Sequence, residues 1–182
     1  MKPAALATLL APALVLSALW GCRGPARPPL RTVTSVDLGR FMGDWYVIGC
    51  IPTFLEKDIA NAVESYRLAP DGTVATTFTY RKGGVDGPEK RMTPRGFVLD
   101  RASNAVWGMR FVWPIKADYR IIHLDPDYRV TVVAREKRDY AWIMARTPTL
   151  PAAEYDATLR LLSEAGYDVS KVRKVPQSWS RP

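Results

Sequence analysis

The run Trp45-Tyr46-Val47-Ile48-Gly49-Cys50-Ile51, closed by Pro52, decides the fold. It is short, aromatic and β-branched, alternates with period two and ends at a turn residue, the pattern of a strand. Similar runs follow at even spacing. Residues 62–68 form the second, and Pro70-Asp71-Gly72 behind it is a strong turn signal. Residues 73–80 are rich in Thr, Val and aromatics, which suit a pleated surface. A loop over 82–88 leads to further strands expected near 89–99, 104–113, 118–124, 129–135 and 140–146. Eight such runs predict an all-β fold, an up-and-down barrel or a sandwich. The period then changes: Tyr155, Leu159 and Leu162, with Thr158 between them, share one face of a helix that Gly166 stops.

Composition removes several alternatives. Six Trp and 47% hydrophobic residues exclude disorder, and two Cys exclude a disulfide scaffold. The single His excludes a multi-His metal site, and no metal or cofactor is expected. A formal charge of +8 points first to nucleic acid or an anionic surface. The basic residues are scattered, however, with Arg81, Lys90, Arg101, Lys116 and Arg135 far apart, and no reader motif accompanies them. Nucleic acid is therefore not an expected partner. A solvated face or contact with anionic lipid headgroups is.

Met1 and Lys2 precede an uncharged stretch over 4–20, too short to span a bilayer and fitting a secretory signal. The following Leu19-Trp20-Gly21-Cys22 resembles the bacterial lipobox. That resemblance implies a signal peptide over 1–21, with Cys22 acylated as the new N-terminus. A plain signal peptide with a coincidental Cys is the alternative. Several acyl chains on one residue hold a protein firmly to a membrane. Residues 22–32 contain Pro25, Pro28 and Pro29 and read as an extended tether, leaving 33–182 for the fold. Arg23 rather than Asp after the Cys implies, by resemblance to lipoprotein sorting, the outer membrane; its periplasmic face is expected, with the leaflet left open.

Three motifs carry a resemblance to the lipocalins, specifically the bacterial outer-membrane lipoprotein group. Gly43-Asp44-Trp45-Tyr46, preceded by Leu38 and Phe41, resembles the G-x-W signature of the first strand. Asp118-Tyr119 through Asp125-Pro126-Asp127-Tyr128 resembles the sixth strand and its turn. Arg138-Asp139-Tyr140 through Trp142 to Arg146 resembles the last strand. The likeness covers about 33–179 and implies an eight-stranded antiparallel up-and-down barrel with one C-terminal helix. It also implies structural roles for Gly43, Trp45, Asp139, Tyr140 and Arg146, with the Arg lying over the Trp ring at the closed end.

Such a barrel holds one small ligand. Family parity points Ala62, Glu64, Tyr66 and Leu68 inward. Alternation places Trp107, Met109, Phe111 and Trp113 on one face, and Tyr119, Ile121 and His123 on another. An aromatic, apolar lining with few polar points suits a fatty acid or lysophospholipid. Glu64 then either meets a polar group of a lipid headgroup at the mouth, pairs with an Arg or faces solvent. His123 reads as a satisfied barrel histidine. Cys50 has parity opposite to Trp45 and is expected to point outward or lie at the strand end, without a neighbour to activate its thiol. Binding, storage or carriage of an amphipathic lipid in envelope maintenance is thus the leading function. A lipocalin-type enzyme and a structural platform with a closed cavity are the alternatives. The sequence leaves the oligomeric state open and is compatible with a homodimer.

Overall fold

The computed structural model describes residues 27–54 and 56–179, so the signal stretch and Cys22 lie outside the described residues. The chain forms α1 (Leu38–Phe41), β1 (Gly43–Ile51), β2 (Ile59–Leu68), β3 (Val74–Lys82), β4 (Glu89–Met92), β5 (Arg95–Val98) and β6 (Val106–Val112). β7 (Ile115–Leu124), β8 (Val130–Ala134), β9 (Ala141–Ala145), α2 (Ala152–Glu164) and β10 (Arg173–Lys174) follow. Neighbouring strands are antiparallel, and β1 pairs with β9 to close the sheet into a barrel. Eight strand positions make the wall. The fourth, expected as one strand over 89–99, is split into β4 and β5 around Pro94, which has no N–H for the ladder.

Register identifies the two ends. Gly43 pairs with Tyr66, and α1 crosses that end and closes it. Ile51 pairs with Ala141 at the other end, which carries loops 52–58, 83–88, 113–114 and 135–140 and stays open. Trp45, Phe41, Trp107, Val74 and Ile121 fill the closed half of the core. A second apolar layer lies outside the wall. There α2 buries Tyr155, Thr158 and Leu162 over Ile48, Val132, Ile143 and Ala145. The helix stops at Gly166 (φ 87°), where Tyr167 N–H donates to Leu162 O at 3.0 Å and Gly166 N–H to Ser163 O at 2.9 Å.

Bulges overturn two expectations built on strict alternation. A register shift between Val47 and Gly49 turns Cys50 into the core beside Trp45 and Val47, while Ile48 and Ile51 pack outside. Cys50 is therefore inward and buried rather than outward, one residue before the end of β1. A second shift between Ile121 and His123 has the opposite effect. His123 pairs with Val132, a residue of the outer layer, and it is Leu124 that packs toward the core. His123 accordingly leaves the inner face.

The terminal segments add what periodicity could not reveal. Leu30 is already buried in the outer layer, within the stretch read as tether. At the other terminus β10 pairs with β1 at Gly49 and Cys50, beyond the β1–β2 pairing that ends at Tyr46. Gln177 Nε2 donates to Val47 O at 2.8 Å and Ala62 O at 3.2 Å, and Asn61 N–H donates to Pro176 O at 2.8 Å. The tail thus fills the seam where β2 diverges from β1.

Candidate ligand-binding cavity

The closed end is a stack of aromatic rings. Trp45 Nε1 donates to Phe41 O at 2.9 Å, and the two rings lie 5.1 Å apart. Phe41 meets Trp107 edge-on at 5.5 Å, and Trp107 stacks on Tyr119 at 5.1 Å. Arg146 locks the base from outside, its guanidinium 3.9 Å from the Trp45 ring centroid. It donates to the carbonyls of Asp44, Arg40, Phe41 and Tyr128 at 2.8, 2.7, 3.1 and 3.2 Å. Gly43, at φ 94°, has the Arg146 guanidinium 3.3 Å from where a Cβ would stand, so this approach needs a glycine.

Above the plug lies a cavity of about 430 Å³, open at the loop end. Phe78, Met92, Pro94, Met109 and Ala117 line its wall, and Phe54, Phe111 and Val112 form its rim. Its volume falls in the range of small-molecule sites. A groove of about 700 Å³ lies outside the barrel, between β3, the 83–88 loop and the tail. Asn61, Arg81, Asp86 and Glu89 line that groove beside Tyr80, Val85 and Trp179, so its lining is more polar than that of the interior.

Few polar groups reach the cavity. Near its floor Tyr66 and Tyr119 hydroxyls meet at 2.8 Å, and the Tyr66 hydroxyl donates to the Glu64 carboxylate. Glu64 is half-buried by area yet surrounded by protein, because the cavity itself is what exposes it. Desolvation pushes its pKa up to about 7; the Tyr66 hydrogen bond opposes this and Glu56 adds to it. Nearer the mouth, Glu56 accepts from Trp142 Nε1 at 2.6 Å and Thr53 N–H at 2.8 Å. Arg135 lies 5.2 Å from the Tyr140 ring centroid, and its Nη1 is 3.5 Å from Asp139 Oδ2. Its Nε is buried with no hydrogen-bond partner.

Of the residues expected inside, Glu64, Met109, Phe111 and Tyr119 stand on the cavity wall, and Tyr66 supports Glu64 from below. Ala62, Trp107 and Ile121 face inward but are buried in the packed core beneath the void. Trp113 departs from expectation: it sits beyond the end of β6, 78% exposed at the hairpin tip. Leu68 projects past the closed end and is exposed. Glu64 lies deep in the barrel rather than at the mouth. Sequence reasoning passed over Arg135, Tyr140 and Trp142 as lining residues. Alternation carried the signal, since Val133 and Met144 face the core and these residues continue their faces.

Burial raises the Cys50 thiol to about 12, with Glu56 adding to the shift, so it is protonated and inert at neutral pH. Among the described residues no group of three His, Cys, Asp or Glu could hold a metal ion. No helix among them is long and apolar enough to cross a membrane.

A closed barrel with a plugged base and an apolar calyx is the architecture of a small-ligand carrier. The lipocalin-like domain family matches residues 36–177, and the chain belongs to it; lipocalins bind small hydrophobic ligands. Temperature-induced lipocalin-1 of Arabidopsis thaliana is 28% identical over 165 residues, covering 84% of this chain and 86% of that protein. Outer membrane lipoprotein Blc of Escherichia coli K12 is 28% identical over 173 residues, covering 94% and 97%. Among solved structures, insecticyanin of the tobacco hornworm Manduca sexta superposes with a TM-score of 0.67 at 15% identity, covering 84% of this chain and 87% of its own.

Proposed function

We propose that the chain binds an amphipathic lipid with one acyl chain, a fatty acid or lysophospholipid, and carries or stores it for the cell envelope. The observation that carries this reading is the unpartnered, buried Nε of Arg135 on the wall of a mostly apolar cavity. An acyl chain gains about 0.8 kcal/mol per buried CH₂ along such a wall. A carboxylate or phosphate at the mouth would accept from Arg135, a charge-assisted bond that fixes which end enters first. The protonated Cys50 thiol and the outward His123 support binding rather than turnover.

Anchoring follows from the N-terminal motif. Cys22 carries the acyl chains, the signal over 1–21 is removed, and the protein is held at the periplasmic face of the outer membrane. Likeness over almost the whole chain to Blc, named as an outer membrane lipoprotein, supports that location.

Titration of the purified chain with brominated fatty acid or lysophospholipid tests the binding. Trp142 lines the cavity, so bromine inside quenches its fluorescence saturably. Arg135→Met weakens binding about tenfold, from the roughly 1.5 kcal/mol of one charge-assisted hydrogen bond. A titration without saturable quenching overturns the reading in favour of a closed platform.

A further inference from the structure

The open end carries a surface that the cavity does not need. Eight large hydrophobic side chains are exposed among the described residues, and five of them ring this end. Phe111, Val112, Trp113 and Ile115 belong to the β6–β7 hairpin, and Phe54 stands on the 52–58 loop. Val112, Trp113 and Ile115 are 68%, 78% and 71% exposed. Isolated surface hydrophobics are ordinary, but a cluster on one hairpin tip marks a contact surface.

The open end is also mildly basic, its Lys and Arg outnumbering Glu56, Asp58, Asp86, Glu89, Glu136 and Asp139. All five lysines between residues 43 and 145 (Lys57, Lys82, Lys90, Lys116 and Lys137) lie in the open-end loops or the strand ends beside them. Lys116 lies directly behind the tip, its Nζ 4.1 Å from the Phe97 ring centroid. The closed end is close to neutral: Asp37, Asp71, Asp100, Asp125 and Asp127 there are matched by Arg40, Arg67, Arg95, Arg101 and Arg129.

The N-terminal segment leaves from the open end too. Arg138 Nη2 donates to Pro28 O at 2.7 Å, and Leu30 N–H donates to Glu136 Oε1 at 3.1 Å, both on the 135–140 loop. Cys22 is six residues before Pro28, so the two are separated by at most ~22 Å of extended chain. The closed end lies a further strand length away, roughly 30 Å for nine residues. A membrane holding Cys22 is therefore within reach of the mouth.

We propose that the open end is a docking surface for an anionic bilayer, with the β6–β7 tip inserted among the headgroups and the lysines around it on lipid phosphates. The tether argument rests on the acylation of Cys22 given above; the apolar tip and its basic surround do not. The cavity mouth then opens onto the membrane that supplies or receives the lipid. A second copy is the disfavoured occupant, because a twofold pairing of this surface sets one net-positive rim against the other.

The test uses the full chain purified from membranes and placed in phosphatidylethanolamine–phosphatidylglycerol vesicles with brominated acyl chains. The tip inserts, so the protein's tryptophan fluorescence is quenched. Trp113→Ser, a change at an exposed site, removes at least half of that quenching and leaves lysophospholipid binding in buffer intact. Ile115→Ser reduces the quenching of Trp113 itself. Quenching equal in Trp113→Ser and the unaltered chain overturns the proposal. So does a dimer in lipid-free buffer that Trp113→Ser dissolves while vesicle quenching stays absent. Intact mass reads the anchor separately. An unacylated Cys22 overturns the anchor alone, and quenching by added vesicles then decides the docking surface by the same criterion.

Discussion

Glu64 is the residue whose surroundings most constrain its chemistry. Its pKa of about 7 in the barrel lies above the ordinary value of 4.5, chiefly because burial disfavours the charge. Below the ordinary value the folded and unfolded chains both hold the proton, and stability is undiminished. As pH rises toward 7 the unfolded chain ionises first, and above it the folded state has lost about 3 kcal/mol. Glu64→Gln is therefore more stable than the unaltered chain near about pH 8 and matches it near about pH 4. Urea denaturation at both values checks this, and an equal difference at both contradicts it. The same proton affects binding. An acyl chain packed against Glu64 favours the neutral acid, so affinity falls as pH rises through 7, and Glu64→Gln flattens the profile. An amine ligand would reverse that sign. Arg146 is the second constrained residue: four carbonyls and the Trp45 ring depend on it. Arg146→Ala costs about 3 kcal/mol, read as a lowered thermal midpoint.

At the scale of elements, the helix and the barrel fit because β1 has no side chain at Gly49. A Cβ there would stand 3.0 Å from the Tyr155 hydroxyl and 3.1 Å from its ring. Gly49→Val displaces α2 and costs about 2 kcal/mol by overpacking, measurable by denaturant unfolding. The strands and the helix were legible in sequence, because alternation and turn residues are local signals; the Trp45–Arg146 base was expected only through the resemblance to the lipocalins. The direction of Cys50 and His123 was not legible, because one bulged residue inverts the parity of all that follows. Trp113 was misplaced for another reason, since alternation does not say where a strand ends and its hairpin begins. The tail was illegible because Gln177 and Asn61 act across 115 residues or more of chain, and no local pattern encodes such a pairing.

For the molecule as a whole, one axis organises everything. Aromatic packing marks one end; the cavity mouth, the lysines, the exposed tip and the N-terminal segment mark the other. Between them the interior changes from packed core to open calyx, with Tyr66, Tyr119 and Glu64 at the boundary. The apolar wall of this space favours burial of a small hydrophobic ligand. The most direct measurement is native mass spectrometry of the chain extracted from its own membranes. A population carrying one acyl lipid per barrel, lost when Ala117→Phe fills the cavity, is the expected result. A barrel that emerges empty, and takes up no fatty acid or lysophospholipid when these are added, contradicts a lipid-binding role.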